Sequence, residues 1–153
     1  MNKTLKELDL TLVNENETLD DLQLDGIHLI QKKEGFRFGV DAVLLANFAN
    51  VNRKHSVLDL WTGTGIIPFI IYGKKNPKEV VGIEIQEEFA EMANRSAKIN
   101  NIQDKVSFVC GDLKDKELNK SMPKFDVVTV NPPYKLNNAG IVNPEDKLAI
   151  ARH

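Results

Sequence analysis

Cysteine is almost missing from this chain. Cys110 is alone among 153 residues, so neither an intrachain disulfide nor a thiolate metal cluster can form. It ends an apolar run and is read as a small core residue. A dominant charge sign is also lacking. Twenty Lys and Arg face 22 Asp and Glu, for a formal net charge of −2. That argues against a protein that simply coats nucleic acid, because phosphate binding rests on clustered cations. Local groupings remain around Lys32, Lys33 and Arg37, and around Lys114, Lys116, Lys120 and Lys124; such groupings are most often solvated faces. Long apolar runs are missing too. The longest, "IIPFIIY", contains Pro68 and is too short to cross a bilayer. The N-terminal "MNKTLKELDLTLVNENE" has no continuous apolar stretch of the signal-peptide kind. A cytoplasmic location is expected.

The chain is 42% hydrophobic and 27% charged, an ordinary globular composition, and its length suits one domain. Residues 1–25 carry seven acidic and two basic side chains with little apolar period. They are read as an extended or loosely ordered arm. "DGIHLIQKKEGFRFG" follows as a short strand or hairpin with its turn at Glu34-Gly35. "VDAVLLANFANV" has apolar residues at helical spacing, with Asp41 in the first turn, where a carboxylate is favoured.

From residue 55 a rhythm sets in. "SVLDL", "EVVGIEI", "KVSFVC" and "FDVVTV" are short apolar runs that read as buried strands. "IIPFIIYGKKN", ending at Gly73 or Asn76, and the amphipathic "QEEFAEMANRSAKINN" are helices between them. Strands alternating with helices predict βαβ units and a parallel sheet, hence an α/β fold.

"DLWTGTG" follows the first of these strands and opens a helix. Gly63 and Gly65 let the backbone turn sharply and approach a ligand closely. A glycine pair alone is weak evidence. However, Glu84 ends the second strand, 25 residues after Asp59, and Asp112 ends the third. In a doubly wound sheet these carboxyl-end positions share the crevice where ligands bind, and Glu84 can accept both ribose hydroxyls there. NAD and S-adenosylmethionine sites both use such an arrangement. A dinucleotide site wants G-x-G-x-x-G, whereas here the third position is Pro68.

"DLWTGTG", "GIEI", "GDL" and "NPPY", with "FRFGVDAVLL" ahead of them, resemble the class I S-adenosylmethionine-dependent methyltransferases. More narrowly, they resemble the bacterial family that methylates adenine N6 in the anticodon loop of a valine tRNA. The resemblance runs from about residue 22 onward. It implies a Rossmann-like fold, S-adenosyl-L-methionine as cofactor and tRNA as partner. By that resemblance Asp59, Gly63 and Gly65 hold the methionine part and Glu84 the ribose hydroxyls. Ile85 lies against the adenine face, Asp112 meets the adenine amino group and Leu113 packs beside it. Phe38 and Asp41 match the upstream segment that closes over the cofactor. Trp61 stands where many relatives carry glycine or another small residue. An indole there narrows the methionine pocket unless it turns outward.

"NPPY" has the parts of an amine-methylation site. An exocyclic amine is a poor nucleophile because its lone pair is delocalised into the ring. Two fixed acceptors for its N–H bonds draw the nitrogen toward tetrahedral geometry. The Asn131 side-chain oxygen and the Pro132 carbonyl are the natural pair. Pro132 and Pro133 fix φ and carry no competing N–H, and Tyr134 offers a flat face for a base, worth roughly 1–3 kcal/mol.

The expected architecture is therefore a Rossmann-like doubly wound sheet with strand order 3-2-1-4, behind a short N-terminal extension. Residues 1–35 form the arm and the strand or hairpin; residues 36–153 form the methyltransferase part. Past NPPY a loop and a helix near Pro144 are expected, but no fifth strand. The sheet is thus expected to be incomplete, with its fourth strand an exposed edge that calls for a partner or self-association. The expected function is methylation of an exocyclic amine, first of all adenine N6 in tRNA. The alternatives are the same chemistry on guanine N2 of ribosomal RNA, DNA adenine or cytosine, or a protein glutamine, and an inactive fragment.

Overall fold

The computed structural model describes residues 8–35 and 37–132. Four short apolar runs become the parallel strands β3 (Ser56–Leu60), β4 (Glu79–Glu84), β5 (Val106–Cys110) and β6 (Val127–Val130). They lie in the order β5-β4-β3-β6, the 3-2-1-4 order expected of these runs. The register sets Val57 opposite Val80 and Val127, and Val80 opposite Val106. Because strand side chains alternate, these valines share one face with Asp59, Gly82, Phe108 and Thr129.

The helices α1 (Val40–Phe48), α2 (Ile66–Lys75) and α3 (Glu87–Ile99) supply the core against that face. Val57, Phe69, Ile71, Val80, Met92 and Val106 are fully buried. The rings of Phe69 and Phe108 meet at a centroid distance of 5.6 Å. They occupy the space left by two glycines: a Cβ on Gly65 or on Gly82 would stand 2.6 Å from the Phe108 ring. The opposite face carries Leu58, Leu60 and Val128 around a recess under α4 (Lys116–Ser121).

Residues 8–25 are not a loose arm. Asp9 caps a 3-10 turn at Leu10–Leu12. β1 (Glu17–Asp21) then pairs antiparallel with β2 (His28–Lys32), Glu17 opposite Lys32. The reversal lies at 22–27, not at Glu34-Gly35. Gln23, Asp25 and Gly26 take positive φ there, which makes Asp25-Gly26 the turn signal.

Helix α3 completes two strand edges with side chains. The N–H of His28 donates to Asn100 Oδ1 at 2.8 Å, and that of Ile30 to Ser96 Oγ at 2.9 Å. On the other side, Asn94 brackets Phe108 of β5, accepting from its N–H at 3.0 Å and donating to its carbonyl at 2.9 Å. Arg95 grips Glu17 with two bonds of 2.7 Å. Burial pushes the Glu17 carboxyl up, but the Arg95 bonds, the Asn14 N–H and nearby positive charge outweigh it and hold it below its usual value.

Cys110 is exposed rather than a core residue. It ends β5, the outer strand of the sheet, where partner strands and helices cover only one side. Two members of the Lys32 grouping are engaged within the fold, Lys32 with Glu88 and Arg37 with Asp20, while Lys33 is exposed. Lys114, Lys116, Lys120 and Lys124 are exposed, Lys120 beside Glu117. Among the described residues no helix is long and apolar enough to cross a membrane.

Candidate active site at the carboxyl edge of the sheet

Parallel strands bring the loops after β3, β4, β5 and β6 to one edge, and hydrogen bonds knit these loops together. The Thr62 N–H donates to the Ile83 carbonyl at 3.0 Å, so the β3–β4 pairing runs on into the glycine turn. The Gly65 N–H returns to the Thr62 carbonyl at 3.0 Å. Gly63 and Gly65 take φ of +58° and +91°, the left-handed region that favours glycine. Gly65 also starts α2 as its N-cap.

Glu84 is buried beside this turn. Its Oε2 accepts from the Gly63 N–H at 2.8 Å and its Oε1 from the Gln86 N–H at 2.9 Å. Burial pushes its carboxyl above the ordinary range, against the pull of these backbone donors. Asp59 is fully sealed, at 0% exposure. Its Oδ1 accepts from Thr129 Oγ1 at 2.6 Å. The Thr62 hydroxyl also faces it, yet neither Asp59 Oδ2 nor Thr62 Oγ1 completes a hydrogen bond. Burial pushes Asp59 up to about 7; the charge of Glu84 adds to this, while the two threonine hydroxyls pull downward.

This corner fits a cationic ligand. Two buried carboxyls sit behind a glycine turn, and one has an unpartnered oxygen. A Cβ on Gly63 would meet nothing within 4 Å, so that side of the turn is open. Asp59 itself has no surface; its bond from Thr129 ties the end of β3 to β6 behind the turn. Ile85 is exposed at the rim, 45% accessible. Asp112 is exposed on the loop after β5 and accepts from the Lys114 N–H at 2.8 Å. Leu113 lines the recess under α4. Phe38 packs against the core cluster.

Leu60 lies opposite Val130, so Trp61 and Asn131 leave adjacent strands side by side. Trp61 is half exposed and holds φ of +53°; the left-handed region costs an L-residue about 1–2 kcal/mol. Asn131 Nδ2 donates to Asp41 Oδ2 at 3.0 Å, joining the end of β6 to the first turn of α1. Pro132 follows and is exposed. Pro133, Tyr134 and the helix expected near Pro144 lie outside the described residues.

Thr62 and Thr129 escaped the sequence reading. Nothing in their spacing marks them; Thr129 becomes visible only through the β3–β6 register, where it stands opposite Asp59.

A parallel sheet with a glycine turn, a pinned acid after the next strand and an asparagine-proline terminus after the fourth defines a Rossmann-like methyltransferase. The chain belongs to the methyltransferase-domain family, which it matches over residues 52–151, and whose cofactor is S-adenosyl-L-methionine. It is 31% identical over 122 residues to a tRNA1(Val) (adenine(37)-N6)-methyltransferase of Bacteroides thetaiotaomicron, covering 79% of this chain and 49% of the relative. It is 35% identical over 114 residues to a Methanocaldococcus jannaschii protein named provisionally as a protein N5-glutamine methyltransferase, covering 74% of this chain and 54% of that one. The chain thus spans about half the length of these relatives. Among solved structures, an RNA methyltransferase of Salinibacter ruber in complex with S-adenosyl-L-homocysteine superposes with a TM-score of 0.52. It is 25% identical, and the match covers 63% of this chain and 60% of that one. TrmN of Thermus thermophilus has the same fold, with a TM-score of 0.53 at 24% identity over 61% of this chain and 28% of that one.

Proposed function

We propose that this protein is a cytoplasmic enzyme that transfers a methyl group to an exocyclic amine of a nucleic-acid base, adenine N6 in tRNA. The observation that carries this reading is Asn131. It stands at the carboxyl end of β6, next in register to the loop that holds Gly63, with its amide nitrogen on Asp41 at 3.0 Å. S-adenosyl-L-methionine, when bound, supplies an electrophilic methyl group on a sulfonium. Gly63 leaves room for its methionine part, Gly65 starts α2 behind it, and Glu84, with Asp59 to the extent that it is ionised, favours its positive charge. Glu84, fixed by Gly63 and Gln86, keeps lone pairs for ribose hydroxyls. Ile85 and Asp112 border the adenine and Phe38 belongs to the segment that closes over the cofactor, whereas Leu113, expected beside the adenine, faces the recess under α4.

Asn131 Oδ1 and the Pro132 carbonyl accept the two N–H bonds of the target amine and turn its lone pair toward the methyl carbon. Pro133 stiffens the pair and Tyr134 stacks on the base. Orientation supplies much of the rate, and the amine proton leaves after attack, so no strong base is needed. Among the described residues β6 is the last strand of the sheet, with Val128 and Val130 exposed, and its outer edge is where a partner or a second copy would pair.

A second reading keeps the chemistry and changes the acceptor. The similarity to the relative named provisionally as a protein N5-glutamine methyltransferase favours the amide nitrogen of a protein glutamine, which the same two acceptors would orient. Methyl-labelled cofactor with total RNA, total DNA and total protein separates the readings. Label in short RNA supports the first and label in protein the second. Absence of label from all three overturns the assignment of catalysis to this chain.

A further inference from the structure

We infer that Asp41 is a positioning residue for Asn131 rather than part of the cofactor closure. The inference rests on the reading of Asn131 as an amine acceptor. Pro132 restricts the backbone of Asn131 to extended conformations, but it leaves the amide plane unspecified. The terminal torsion of an asparagine is broad. A half-turn about it exchanges an acceptor for a donor. A donor facing the target amine would oppose one of its N–H bonds and spoil the site.

Asp41 biases that choice. An ionised carboxylate only accepts, so it selects the NH2 end of Asn131 and assigns the oxygen to the acceptor role. The 3.0 Å bond between Asn131 Nδ2 and Asp41 Oδ2 spans 90 residues of sequence. Its charged acceptor also makes it stronger than a neutral pair.

The carboxylate is itself placed by its surroundings. Asp41 sits in the first turn of α1, whose Ala42 and Ala46 are buried. Just upstream, Arg37 donates to the Lys32 carbonyl at 3.3 Å and pairs with Asp20, which anchors this entry to the β1–β2 hairpin. Gly39 leaves the room: a Cβ there would stand 2.6 Å from Asp41 Oδ1. The hairpin, the start of α1 and the end of β6 thus converge on one amide plane.

The test compares Asp41→Ala, Asp41→Asn, Asn131→Ala and the double Ala variant. The readouts are single-turnover methyl transfer, cofactor affinity by calorimetry and thermal melting. A misplaced acceptor costs on the order of tenfold to 10²-fold in rate. Asp41→Ala is therefore expected to slow transfer by at least tenfold with cofactor affinity unchanged. Asp41→Asn, which offers an acceptor oxygen but also a donor, is expected to recover only part of the rate, and Asp41→Ala is expected to add nothing once Asn131 is alanine. Should Asp41→Ala lower melting, Gly39→Ala displaces the carboxylate without removing it and is expected to slow transfer in the same way. A normal rate in Asp41→Ala alongside a slow Asn131→Ala overturns the inference and leaves the amine-acceptor reading standing. Weaker cofactor binding in Asp41→Ala also overturns it, returning Asp41 to cofactor closure. A normal rate in Asn131→Ala overturns the underlying reading instead.

Discussion

The backbone N–H of Gly63 donates to Glu84 Oε2 at 2.8 Å, which locks the turn after β3 to the carboxyl end of β4. One carboxylate thereby holds the glycine turn in shape while presenting its remaining lone pairs to the crevice. The two glycines of that turn are left-handed for different reasons, and substitution separates them.

Gly65→Ala places a Cβ 2.6 Å from the Phe108 ring and 3.0 Å from Phe69, at φ of +91°. Overpacking costs about 1–3 kcal/mol, and the φ adds about 1–2 kcal/mol more, so melting is expected to fall sharply. Gly63→Ala meets nothing within 4 Å and is expected to lose only the φ term. Its methyl group instead enters the open side of the turn and should weaken cofactor binding by about tenfold or more, about 1.4 kcal/mol per factor of ten. Thermal melting with calorimetry on both variants checks this. Equal losses of stability would show that the two positions are not distinguished in this way.

Asp59 makes stability depend on pH. Burial, with the nearby charge of Glu84, pushes its carboxyl up to about 7, against about 3.9 in an unfolded chain. Between those values the folded protein holds a proton that the unfolded chain has shed. Stability is therefore expected to fall as pH rises through this window and to level off above about 7. Asp59→Asn removes that slope. Denaturant melts at about pH 5 and about pH 8.5 are expected to show the variant gaining on the parent clearly more at the higher pH. The same difference at both values would contradict the raised carboxyl.

Trp61→Gly places at φ of +53° the residue suited to it. With the indole half exposed at the mouth of the glycine turn, the variant is expected to bind cofactor as well or more tightly. Calorimetry showing clearly weaker binding would assign the indole a part in holding the ligand.

The sheet was legible because each of its strands is a short apolar run between turn signals or helices, a pattern that burial on both faces demands. The hairpin was legible only in its second strand, within "IHLIQ"; its first strand was not. Glu17, Asp20 and Asp21 break its apolar alternation, and two of those acids are there as partners for Arg95 and Arg37. Helix α4 was missed because "KELNKS" carries a single apolar side chain; its start is fixed by Asp115, which accepts from the Glu117 and Leu118 N–H groups. In the site, Gly63, Glu84 and Asn131 could be named from type and spacing. The pairing of Asp41 with Asn131 could not, because it joins residues that only the fold brings within 3.0 Å.

The most direct measurement is single-turnover methyl transfer by Asn131→Ala with saturating cofactor and an RNA stem-loop bearing the acceptor adenine. Loss of a preorganised acceptor is expected to slow transfer by on the order of 10²-fold or more while calorimetry shows cofactor affinity unchanged. A variant that transfers methyl at the parental rate would contradict the account.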